Sequence, residues 1–300
     1  MEKTILEKIA SPIIFRGDDK TAYRDPAVIY ADGWFHLFFT LVETEADGEV
    51  YLYLAKSKSR DLVSWETPRK LTPRDQRLNY SSPGNMVRFQ DRWLLCLQTY
   101  CRENGEKYGN ENSRVYVMET TDLENFSDPR LLRVKGDCPV QDMGRMIDPY
   151  LLRDGKEPDK WWCFYKQNGV SMSYTYDMEN WVFAGNAEAG ENVCVVQADD
   201  RYYMFHSPHN GIGVLESEDC LKWKDTGRLL TLGQEYWPWA MGRITAGFVM
   251  EVTGILSEEN TWLMFFHGSG PEDERTMFDQ YASLGIAWSH DLQNWEWPEK

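Results

Sequence analysis

One short phrase returns five times along this chain of 300 residues: Asp61-Leu62-Val63-Ser64-Trp65, Asp122-Leu123-Glu124-Asn125-Phe126, Asp177-Met178-Glu179-Asn180-Trp181, Asp219-Cys220-Leu221-Lys222-Trp223 and Asp291-Leu292-Gln293-Asn294-Trp295. An acidic turn residue with an aromatic four positions later, at separations of 61, 55, 42 and 72 residues, marks a repeated supersecondary unit. Two runs of strand composition precede each copy, such as Trp34 to Phe39 and Tyr51 to Ala55 in the first unit, or Trp262 to Phe266 and Leu284 to Trp288 in the last. A third run lies before those, closed by a turn, as Pro26 to Tyr30 is closed by Ala31-Asp32-Gly33. The aromatic of the phrase then opens a fourth, as in Trp65-Glu66-Thr67. Four strands in each of five units predict an all-β chain, a five-bladed β-propeller with four antiparallel strands per blade. A β-sandwich with scattered Asp-turn-Trp hairpins leaves the recurring four-strand order unexplained. Trp65, Trp181, Trp223 and Trp295 are then repeat anchors in the core.

No linker or low-complexity tract interrupts the units, and five blades must close on one another, so residues 1–300 read as a single domain. The formal charge of −16 argues against a nucleic acid or an anionic membrane surface as partner and suits a neutral small molecule. No apolar run approaches the length of a membrane span, and the first residues lack the apolar core of a secretory signal, so a cytoplasmic location is expected. The six cysteines have no metal-type spacing and read as free thiols, Cys96 and Cys163 inside second-strand runs. Oligomeric state has no signal in the sequence.

In a propeller the innermost strands line the central channel, so polar residues at one end of them converge on one pocket. Asp25, in Tyr23-Arg24-Asp25-Pro26, and Asp148, in Met146-Ile147-Asp148-Pro149, each precede a glycine turn (Gly33, Gly155) by seven or eight residues, and so hold equivalent places in blades one and three. Glu191 opens the matching strand of blade four, Glu191-Asn192-Val193-Cys194. Asp-Pro alone is a common turn starter, as at Asp128-Pro129 on an outer strand. Two such aspartates at inner-strand positions plus a glutamate at a third make the set that glycoside hydrolysis needs: a carboxylic acid to protonate the leaving oxygen and a carboxylate to activate water or attack the sugar. A third carboxylate raises the acid's pKa by like-charge repulsion.

This order, Arg-Asp-Pro in blade one, Ile-Asp-Pro-Tyr in blade three and Glu opening blade four, resembles the five-bladed propeller glycosidases of glycoside hydrolase family 43 and its neighbours, from about Ser11 to Trp297. The resemblance implies Asp25 as general base, Asp148 as the residue that tunes and orients the acid, and Glu191 as general acid, with inversion at the anomeric carbon. Where the family commonly has Gly-Pro after the glutamate, Asn192-Val193 stands here, and Glu188 is the rival acid. The expected activity is exo-acting hydrolysis of a small oligosaccharide or glycan side chain, of arabinofuranosidase, xylosidase or galactosidase type. His267, which ends the second strand of blade five, resembles a central histidine that in several members helps to hold a channel calcium; a hydrogen-bonded channel histidine is the plainer alternative.

Further candidates for substrate binding are His206 and His209 at the corresponding place in blade four, Arg24, Arg145 and Arg243 beside the carboxylates, and Trp237 and Trp239 as stacking faces. The long insertions at 101–112 and 268–281 are expected to wall the pocket. Two alternatives stand beside hydrolysis. A propeller phosphorylase would use inorganic phosphate held by Arg145, Arg243 and His267; an inactive sugar-binding propeller would bind without turnover.

Overall fold

The computed structural model of the chain describes residues 4–270 and 278–298. The chain forms 21 short β-strands and, apart from the four-residue helix Ile5–Lys8 and two 3-10 turns, no other regular structure among the described residues. Four of the five sheets are consecutive antiparallel four-strand meanders: β2 to β5 (first strand Thr21–Ala31), β6 to β9 (Met86–Phe89), β10 to β13 (Ile147–Arg153) and β14 to β17 (Glu191–Ala198). The fifth contains β18 (Arg243–Glu251), β19 (Trp262–Ser269) and β20 (Ser283–Ser289). Its outer edge is composite: β1 (Ile13–Phe15), from the start of the chain, and β21 (Trp295–Glu296), from the end, both pair with β20. This is the predicted five-bladed propeller of four antiparallel strands per blade, with the last blade closed by both ends of the chain.

The repeated phrase is one turn built five times. In each copy the aspartate Oδ1 accepts the backbone N–H groups two and three residues on, at 2.7–2.9 Å. It also accepts the hydroxyl of a Ser or Thr two residues earlier. The residue after the aspartate has φ between 59° and 64°, the left-handed region, with its side chain buried in the core. Trp65, Trp181 and Trp223 donate their indole N–H to the carbonyl of that residue, which ties the anchor to its own turn.

The outer strand does not open at the aromatic in blades one and two. It is only Arg69–Lys70 and Arg130–Leu131, because Pro68 and Pro129 stand just before and a proline has no N–H for the ladder. All six cysteines are free, five of them buried. No described helix is long and apolar enough to cross a membrane.

Candidate active site

Each innermost strand is preceded or interrupted by the same bulge. Asp25, Ser82, Asp148, Asn192 and Ala246, one from each blade, all have φ of 45–54°. The residues just before them, Arg24, Ser81, Ile147, Glu191 and Thr245, are the cross-strand partners of Thr40, Gln98, Lys166, Ser207 and His267 on the second strands. The channel therefore has two tiers of five residues. A left-handed non-glycine residue is strained, and the strain re-aims its side chain into the channel. Asp25 and Asp148 hold equivalent places, as the sequence suggests. Glu191 does not share their tier: the blade-four counterpart is Asn192, and Glu191 lies one residue outward, level with Arg24.

The inner tier is held by hydrogen bonds that run from blade to blade. Thr40 Oγ1 accepts the N–H of Ser82 (2.7 Å), Gln98 Oε1 that of Asp148 (2.6 Å), Ser207 Oγ that of Ala246 (2.8 Å) and His267 Nδ1 that of Asp25 (3.1 Å). Lys166 occupies the fifth acceptor position and has no lone pair to offer when charged. The N–H of Asn192 turns instead to the Asp148 carboxylate, 3.3 Å from Oδ2.

Around the acids the contacts are specific. Asp25 Oδ2 accepts Thr40 Oγ1–H at 2.9 Å, and its Oδ1 accepts the Asn192 side-chain amide at 3.4 Å. Asp148 Oδ1 accepts Ser82 Oγ–H at 2.7 Å. Glu191 Oε1 is paired with Arg243 Nη2 at 3.1 Å, and Arg243 Nε donates to the His209 carbonyl. Burial pushes the Asp148 carboxyl up to about 7, and the negative charges of Glu191 and Asp25 add to the shift. Burial also raises Asp25, against the opposing pull of Arg24 and the Thr40 hydrogen bond. The group that holds a proton near neutrality is thus Asp148, deepest of the three.

A recess opens on these tiers, lined by Arg24, Asp25, Ser81, Gln98, Tyr100, Asp148, Glu191, Asn192 and Phe278 among others. The two long insertions meet beside it: Phe278, which lines the recess, stacks on Tyr100 and meets Tyr108 edge-on, and Arg102 makes a bidentate ion pair with Asp279. Residues 271–277 of the second insertion lie outside the described residues. Glu188 is exposed and lines no part of the recess.

Other expected residues are placed differently. His206 is buried and accepts the Gly190 N–H on Nδ1, steadying the approach to Glu191, while the exposed His209 contributes its carbonyl. Arg145 donates to the Gly109 carbonyl. Trp237 and Trp239 stack on each other and on Phe266 and form part of a different recess with Pro12, Arg16 and Trp297. They pack against blade five and are not in the lining of the acid recess.

His267 is fully buried, its pKa driven well down by burial and by Arg24 and Arg243, so the ring is neutral and Nδ1 is taken by Asp25 N–H. Calcium requires six to eight oxygen ligands. Among the described residues no group of three or more acidic, histidine or cysteine side chains has the spacing of a metal site, and Nδ1 of His267 is used by the Asp25 N–H. Arg243 acts on the neutral His267 and pairs with Glu191, while Arg145 is tied to the Gly109 carbonyl. Thr40, Ser82, Gln98 and Asn192 went unrecognised in the sequence. Ser82-Pro83, standing where blades one and three have Asp-Pro, was the available signal.

The fold has many counterparts among solved structures. A thermostable family-43 glycoside hydrolase is 13% identical with a TM-score of 0.64, covering 96% of this chain and 95% of its own. An α-L-arabinofuranosidase from Podospora anserina, solved with cellotriose, is 15% identical with a TM-score of 0.62, covering 90% and 92%. An exo-1,5-α-L-arabinanase from a bovine ruminal metagenomic library is 16% identical with a TM-score of 0.60, covering 90% and 94%. No curated protein sequence matches the chain. The family model for the glycosyl hydrolases family 32 N-terminal domain matches residues 20–196. That span is more than half of the chain and carries Asp25, Asp148 and Glu191, so the protein belongs to this glycosyl hydrolase family and is a glycoside hydrolase of the five-bladed propeller type.

Proposed function

We propose that the enzyme removes single sugar units from the end of a small oligosaccharide or glycan side chain, with inversion, using Asp25 as base and Glu191 as acid. The observation that carries this reading is the placement of the two carboxyls on blades one and four, which are not neighbours in a ring of five. Inversion requires the two acids to stand roughly 6.5–9.5 Å apart with a water between them. Asp25 would take a proton from that water as its oxygen bonds to the anomeric carbon, while the bond to the leaving oxygen breaks and Glu191 gives that oxygen a proton. Arg243 orients Glu191. Asp148, hydrogen-bonded by Ser82 and by Asn192 N–H, sits beneath and sets the charge of the group.

The recess is walled on one side by the contacts of Phe278 with Tyr100 and of Arg102 with Asp279, which favours the end of a sugar chain over its interior and hence exo action. The arabinan-directed names among its structural counterparts make an α-L-arabinofuranoside a natural first substrate, with xylosides and galactosides next.

The test is Glu191→Gln assayed on an activated aryl glycoside and on an unactivated oligosaccharide. A good leaving group needs little protonation, so aryl glycoside turnover is expected to survive far better than oligosaccharide turnover, the latter falling by roughly 10²–10⁴-fold. An unchanged ratio between the two removes Glu191 from the acid role.

A further inference from the structure

The two sides of the recess differ in kind. On the side of blades three and four stand Asp148, Glu191 and Asn192. On the side of blades one and two, beside Asp25, stand three donors: Arg24, Ser81 and Gln98. Arg24 is nine-tenths buried. Its guanidinium lies 3.9 Å from the Phe278 ring centroid, and Nη1 donates to the Phe278 carbonyl at 3.3 Å. Among the described residues no carboxylate forms an ion pair with it. The adjacent Asp25 turns in its left-handed bulge toward Thr40 and Asn192. Ser81 Oγ, 1% exposed and lining the same recess, has no hydrogen-bond partner among the described residues; nor has Thr245 Oγ1, which holds the same outer-tier place on the other flank of Arg24. Gln98 spends its Oε1 on Asp148 N–H, which leaves its NH₂ as a donor.

A buried cation with no carboxylate in ion-pair contact among the described residues and a buried hydroxyl with no partner, facing one cavity, are costly unless a ligand supplies the acceptors. The hydroxyls of a neutral sugar add no charge opposite Arg24 beyond that of the adjacent Asp25. A carboxylate matches the planar guanidinium fork and accepts from a hydroxyl and an amide as well. We infer that this wall is a subsite for an oxyanion carried by the sugar, the carboxylate of a uronic acid unit, with Arg24 as its ion partner and Ser81 and Gln98 as hydrogen-bond donors. The inference rests on the glycosidase reading for the sugar itself, and it departs from the neutral ligand that the net charge suggests. That charge acts at long range, where salt screens it beyond roughly 8 Å, whereas the subsite is local.

Inorganic phosphate offers the same oxyanion chemistry, so the experiment separates the two sources. Binding of D-galacturonate, D-glucuronate, D-galactose and D-glucose is measured by calorimetry on the full chain, on Arg24→Gln and on Ser81→Ala. One uronate is expected to bind at least about tenfold tighter than its neutral counterpart, the scale of one charge-assisted hydrogen bond. Arg24→Gln is expected to abolish that preference and Ser81→Ala, which keeps the charge, to reduce it severalfold.

Equal binding of charged and neutral sugars, equal loss of both in Arg24→Gln, or no uronate binding overturns the inference. So does an Arg24-dependent acceleration of neutral aryl glycoside turnover by phosphate, which assigns the site to free phosphate. Aryl glycoside turnover by the parent judges the glycosidase reading separately, since it needs no uronate.

Discussion

Asp148 concentrates the electrostatics of the channel: a buried carboxyl beside two others, hydrogen-bonded at both oxygens. Its folded-state pKa of about 7 lies above the unfolded value near 3.9. Between those values the folded state binds more protons than the unfolded, so this group makes the protein lose stability as pH rises toward and through 7. Asp148→Asn removes that loss. The melting temperature of the variant minus that of the parent is therefore expected to become more positive from pH 5 to pH 8.5, and a flat difference would show that Asp148 ionises normally. Asp25 and Asp148 were legible in the sequence because the same dipeptide recurs at the same distance from a turn. The one-residue offset of Glu191 was not, because tier membership depends on a bulge that local composition does not encode. The placement of Trp237 and Trp239 was equally hidden, since stacking on Phe266 is a tertiary contact.

At the scale of elements, each blade fixes the bulge of its neighbour through one acceptor. Gln98→Leu leaves the buried Asp148 N–H without a partner and is expected to cost about 1–3 kcal/mol in denaturant unfolding, together with a fall in kcat. Asp177→Ala removes the acceptor of a surface turn far from the recess. It is expected to lower the melting temperature while kcat and KM stay at parental values; a loss of activity would mean that the turns transmit to the channel. The turns were the most legible part of the fold, because Asp, the left-handed residue and Trp act within five positions. The blade-to-blade acceptors were not, since Thr40, Gln98, Ser207 and His267 share a register but no residue type.

For the whole molecule, the ring is held shut where both ends of the chain meet β20. Deleting residues 1–16 leaves half of that outer edge unpaired, and is expected to lower the melting temperature and to broaden unfolding as blade five separates early. A variant that melts like the parent would show that β21 suffices for closure. Five repeats made the architecture readable, while the composite last blade was not, because the pairing of β1 with β20 spans nearly the whole sequence.

Three channel carboxyls, with Asp25 as the base, are proposed to hydrolyse the glycosidic bond. This proposal is tested most directly by following sugar release by ¹H NMR in the parent and in Asp25→Asn. The account predicts that the parent releases a single sugar, first seen as the anomer opposite to that of the substrate, and that Asp25→Asn slows release by roughly 10²–10⁴-fold. Release at the parental rate by Asp25→Asn, or first appearance of the retained anomer, would contradict it.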